Sequence, residues 1–94
     1  MKMAYAEKQM AKHGKLYIRE QGNYRAVCVL IGDEEVAVSR GNCDCEVGSI
    51  HVKNITQKDE PQSDYFPGSF FHSLRSALRF ADSRAKRTAE RNLN

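Results

Sequence analysis

The side chains closest to a metal site are Cys43 and Cys45, which flank Asp44, with Glu46 adjoining and His51 six residues beyond Cys45. Structural zinc takes cysteine pairs separated by about two to four residues, plus a second pair that closes the tetrahedron. Here one residue separates the thiols, and the third cysteine, Cys28, lies in an apolar run. No metal and no cofactor is therefore expected. Acids beside a thiol raise its pKa, so the loop is also a poor redox sensor. Ser49 and His51 share one face of a strand, yet no acid is placed in sequence to orient the imidazole. His72 and Ser73, adjacent on a helix, diverge by about 100° and cannot pair. The six glycines are scattered as turn residues and build no phosphate cradle. None of the usual catalytic roles is filled, and the expectation is a protein without enzymatic activity.

Charge is more informative. Over 94 residues the formal net charge is +3, but it is sorted along the chain. Residues 1–31 carry +4, residues 32–64 carry −5 and residues 65–94 carry +4 again. Such a layout steers encounters with charged partners. Two candidate surfaces follow. Asp33, Glu34, Glu35, Asp44 and Glu46 form an expected acidic, partner-binding patch. Arg75, Arg79, Lys86 and Arg87 form a basic stripe suited to phosphate contacts, the alternative reading as a nucleic-acid binder.

The elements that must position these groups are legible from periodicity. Residues 2–12 favour a short helix, with Met3, Ala6, Met10 and Ala11 near one stripe and Gly14 as its stop. Lys15 onward alternates as a strand, and Gln21-Gly22-Asn23 reads as a three-residue turn. Residues 24–31 (YRAVCVLI) mark a central strand, Gly32-Asp33 a second tight turn, residues 35–40 a third strand and residues 49–55 a fourth. Residues 56–68 form a polar connection. Ser69 is the expected N-cap of a long amphipathic helix to about residue 91, whose stripe is Phe71, Leu74, Leu78, Ala81 and Ala85, widened by Phe70 and Ala77. The predicted fold is one α+β domain: a three- to four-stranded antiparallel meander covered on one face by the C-terminal helix. Its expected core is Leu16, Ile18, Val27, Val29, Ile31, Val36, Val38, Ile50 and Val52. The opposite face, with Tyr17, Arg19, Tyr24, Cys28, Leu30 and His51, is expected to lie under the N-terminal helix, because Cys28 and Leu30 are costly to leave in water.

In the cluster Tyr65-Phe66-Pro67, Phe66 with Phe70 or Phe71 reads as a clamp on the start of that helix, the alternative being Tyr65 or Phe66 as an anchor in a partner pocket. No apolar run reaches the roughly 18 residues of a membrane span. An odd number of cysteines and an N-terminus without an apolar leader point to the cytoplasm. The order helix, strands, helix is similar in outline to a double-stranded-RNA-binding domain. That family begins its second helix with a basic cluster, however, where this chain has Ser69-Phe70-Phe71-His72. In size, single-domain layout and sheet-plus-helix order, the chain resembles small phage and mobile-element inhibitors of the anti-CRISPR kind. That resemblance implies a protein-binding module whose acidic patch occupies the basic surface of a protein or nucleoprotein partner. The free edge of a meander also allows a homodimer across a two-fold.

Overall fold

The computed structural model describes residues 1–22, 24–43, 45–56 and 69–92. Helix α1 (Met3–Ala11) is followed by strands β1 (Tyr17–Gln21), β2 (Tyr24–Ile31), β3 (Glu34–Arg40), β4 (Val47–Asn54) and β5 (Ser69–Phe71), then by helix α2 (Leu74–Asn92). The strands form one antiparallel sheet in chain order, β1 and β5 at its edges. The α+β class read from the sequence is the class observed.

Two tight turns set the register. Gln21 pairs with Tyr24 and Ile31 with Glu34, so each hairpin has a two-residue loop. The first connection is therefore one residue shorter than expected, and its Asn23 lies outside the described residues. Both loops open on a glycine in the left-handed region, Gly22 at φ 60° and Gly32 at φ 59°, where a Cβ would be strained. Close approach explains Gly48 instead. The β3–β4 register shifts between Ser39 and Arg40, and a Cβ on Gly48 would sit 2.6 Å from the Arg40 carbonyl oxygen.

Both helices cover the same sheet face, α1 over β2 and α2 across β3 and β4. Met3, Ala6 and Met10 from α1 and Leu74, Ala77, Leu78 and Ala81 from α2 meet Val27, Val29, Val36, Val38, Ile50 and Val52. The alanines let each helix lie close to the sheet. Ile18 departs from the expected core. It belongs to the edge strand, where it lines a shallow concavity with Met3 and Glu7 of α1, and is 49% exposed. Gly14 is not a left-handed cap, since α1 ends through the Lys12 and His13 amides donating to the Gln9 and Met10 carbonyls.

Three expectations are corrected. Residues 69–71 extend the sheet as a fifth strand rather than opening the helix: Phe71 faces Ile50, and Phe70 faces His51. The helix starts at Leu74, with Ser73 Oγ accepting from the Ser76 amide at 3.1 Å, so Ser73 and not Ser69 is the capping residue. Phe71 keeps its core role against Phe80, whereas Phe70 lies on the opposite sheet face and is 68% exposed. Finally, α1 does not cover that opposite face. Cys28, Ala26 and Ala37 are buried there all the same, packed against Tyr17 and Tyr24. The polar connection and its Tyr65-Phe66-Pro67 cluster fall outside the described residues.

Candidate functional site

Successive residues of a strand point to opposite faces, and that rule separates the two acids expected to lie together. Glu34 points to the helical side, where it is 1% exposed and sits 2.5 Å from Arg84 Nε of α2. Glu35 points to the other side, where it is 6% exposed. It accepts from Tyr17 Oη at 2.5 Å and from Arg19 Nη1 at 2.7 Å. Glu46 is taken up by the N-terminus: the Met1 ammonium and Lys2 Nζ each lie 3.3 Å from its carboxylate. The ammonium first, and then Lys2, hold that carboxyl below its usual range. Asp33 is half-buried in the β2–β3 turn, and Asp44 lies outside the described residues. The expected acidic patch is therefore corrected: Glu34 and Glu35 are interior partners of arginines on opposite sheet faces, so these two acids share no surface.

The loop that carries Cys43 and Cys45 is a clamp for the chain start. The Met3 amide donates to the Cys45 carbonyl at 2.7 Å, the Val47 amide donates to the Met1 carbonyl at 2.9 Å, and Lys2 bridges Glu46. Both thiols are free and exposed. Among the described residues no three histidine, cysteine or acidic side chains cluster as metal ligands.

The sheet face away from the helices carries a polar cluster. Ser49 Oγ is its hub, bonded to Ser39 Oγ, to Tyr24 Oη at 3.3 Å and to His51 Nε2 at 3.1 Å. Sequence reading placed Ser49 and His51 on one face, and they do meet. The Ser49 hydroxyl thus ties three neighbouring side chains into one polar network. Burial pulls the His51 imidazole below its ordinary pKa, and Phe70 lies against the ring at 4.3 Å. Beside it, burial and then Glu35 push the Cys28 thiol up to about 12, which leaves it unreactive. Burial and the bond to Glu35 likewise raise the Tyr17 phenol.

The helical layer presents a concave surface. Since α1 lies over β2 and α2 lies farther across the sheet, the helices touch little, and a groove of about 480 Å³ runs between them. Its first wall is the stripe Met1, Tyr5, Gln9 and His13, four residues apart and adjacent to the buried face of α1. The second wall is Leu74, Leu78, Arg75, Arg79 and Asp82. Tyr5, which lines the groove, is 55% exposed, an aromatic side chain only about half covered. Of the basic stripe, all four residues, Arg75, Arg79, Lys86 and Arg87, are exposed along α2. Lys86 pairs with Asp82 at 3.2 Å, while Arg75 and Arg79 border the groove. Sequence reading missed this groove. The signal for it was present, because the positions left over beside Met3, Ala6 and Met10 include a tyrosine where a solvated polar residue would serve. His72 and Ser73, expected within the helix, precede it.

The chain matches no protein-family model, no curated protein and no solved structure. No helix among the described residues is long and apolar enough to cross a membrane.

Proposed function

We propose that this chain is a small non-catalytic protein-binding module that takes an acidic segment with an apolar anchor into the groove between α1 and α2. The observation that carries this reading is the pairing, in one concavity, of a half-exposed tyrosine over leucines with two exposed arginines on the rim. Aromatic anchors over apolar floors dominate binding energies, and rim charges select the partner and speed its arrival. The class of function is the one expected from the sequence, an occluding binder. The surface has moved from an acidic patch to a basic-rimmed groove.

Random peptides displayed on phage and selected on the immobilised protein test it. Selected sequences should combine Asp or Glu with Leu, Phe or Trp, and should bind with Tyr5→Ala losing about 30-fold, as a central anchor worth roughly 2 kcal/mol does. Neutral or basic selected peptides, or equal affinity for the Tyr5→Ala variant, would overturn the proposal.

The exposed arginines of α2 favour a second reading, direct phosphate contact. Gel-shift with duplex DNA and RNA at low and moderate salt separates the two. Steeply salt-dependent binding that is lost in Arg75→Glu/Arg79→Glu and untouched in Tyr5→Ala belongs to nucleic acid.

A further inference from the structure

Of the two edges of the sheet, β5 is blunt, with three residues, while β1 is a five-residue strand in unbroken register with β2. Exposed edges are usually guarded by charged side chains, proline or a bulge. Here β1 has no proline and no bulge, and both of its charges are drawn back into its own sheet. Arg19 reaches over β2 to Glu35 of β3 at 2.7 Å, and Glu20 holds Arg25 of β2 at 3.3 Å. What the edge offers outward is backbone and Ile18, half exposed on the helical side.

We infer that β1 is a dimerisation edge, pairing antiparallel with β1 of a second copy of this chain about a two-fold axis at Ile18. Side-chain faces select the register. A residue must meet a counterpart on its own face, so the axis passes through a residue and not between two. Centred on Arg19, the pair would oppose two guanidinium groups, and centred on Glu20 two carboxylates. Centred on Tyr17, it would set Arg19 against Lys15 of the second copy. Centred on Gln21, the strand would run against the turn of the second copy, and of the other centres only Ile18 avoids like charges. It puts Ile18 on Ile18, Tyr17 beside Arg19 of the second copy and Leu16 beside its Glu20, so that each exposed isoleucine covers the other. The product is a ten-stranded sheet with all four helices on one side and both α1–α2 grooves left open. The inference therefore stands apart from the proposed function.

Sedimentation velocity in reducing buffer from about 1 to 300 µM, spanning ordinary dimer affinities, tests it. The mass should rise from 10.7 kDa toward twice that value with concentration. Ile18→Lys, which places two ammonium groups on the axis, should stay monomeric with an unchanged circular dichroism spectrum. Opposed residues stand about 4.5–5.5 Å apart at Cα, within reach of a disulfide. In a Cys43→Ser/Cys45→Ser background, Ile18→Cys should therefore cross-link with oxidised glutathione and Glu20→Cys should not. A constant monomer mass, a dimer that persists in Ile18→Lys, or cross-linking through residue 20 in place of 18 would each overturn the inference.

Discussion

Arg84→Met removes the cation that offsets the most deeply buried charge among the described residues. The Glu34 carboxylate is 1% exposed, and its oxygens find no well-aligned hydrogen bond among those residues, so the Arg84 guanidinium at 2.5 Å is its compensation. Removing one member of a buried pair costs about 3–5 kcal/mol, because the remaining charge stays buried and uncompensated. The Arg84 side chain is itself 21% exposed, so water can enter where the guanidinium was, and the lower end, about 3 kcal/mol, is expected. With a urea slope of about 1.5 kcal/mol/M, the midpoint should fall by about 2 M. Methionine keeps the length and the contact with Phe80, over whose ring Arg84 lies at 5.2 Å, so lost packing adds little. The reverse change, Glu34→Leu, should cost less, since the guanidinium can turn to solvent. The double variant Glu34→Leu/Arg84→Met should recover to within about 1 kcal/mol of the parent, as apolar replacements of buried pairs do. Urea unfolding followed by circular dichroism measures all four states. A loss below about 1 kcal/mol in Arg84→Met, or a double variant as damaged as the single one, would refute the reasoning.

Two further outcomes follow from other positions. Gly32→Val should lower stability by about 1–2 kcal/mol in thermal unfolding through its left-handed backbone alone. A Cβ there would also stand 3.0 Å from Ala85 Cβ of α2, so Gly32→Val/Ala85→Gly should regain only part of the loss, and full recovery would contradict it. For His51, burial lowers the folded-state pKa below 6.5, so the unfolded chain binds the proton more readily. Stability is then whole above that pH and declines as the pH falls below about 6.5; His51→Asn should flatten unfolding free energy between about pH 7.5 and 5, and an unchanged slope would exclude the imidazole as its source.

The hairpins were legible because their signals are local. Gly22 and Gly32 are forced by backbone geometry, and the apolar run of β2 belongs to a strand with neighbours on both sides. β5 was hidden because Phe71 satisfies two patterns at once. It continues the three-and-four spacing of α2 and also sits opposite Ile50 in the sheet, and three residues are too few for a period-two signal. Ser69 and Ser73 are equally good caps by type, so only the strand pairing decides between them. The acids misled for a related reason. Glu34 and Glu35 follow a turn and read as solvated, yet their partners, Arg84 and Arg19, come from opposite ends of the chain, which no spacing within one segment reveals. Tyr5 failed to register because the groove exists only once both helices share a face.

The sorted charge of the sequence has a different meaning in the folded chain. Three acids of the middle segment are taken by the basic ends: Glu35 by Arg19, Glu34 by Arg84, and Glu46 by Lys2 and the N-terminal ammonium. Among the described residues, Glu34 and Glu35 are thus spent inside the fold, where they tie the long helix and the edge strand to the central strand β3, and Glu46 holds the chain start. Arg75, Arg79, Arg87 and Arg91 are the remainder on α2, with no ion pair among the described residues. A chain whose sequence offers an acidic surface accordingly presents a basic one along its helical layer, bordering the only concavity that also holds an exposed aromatic among the grooves described. On the proposed reading, the partner's charge answers to the arginines that folding leaves unpaired on α2. A change that frees Glu34 or Glu35 would weaken the fold before it altered recognition, whereas reversing Arg75 and Arg79 would alter recognition and leave the fold intact.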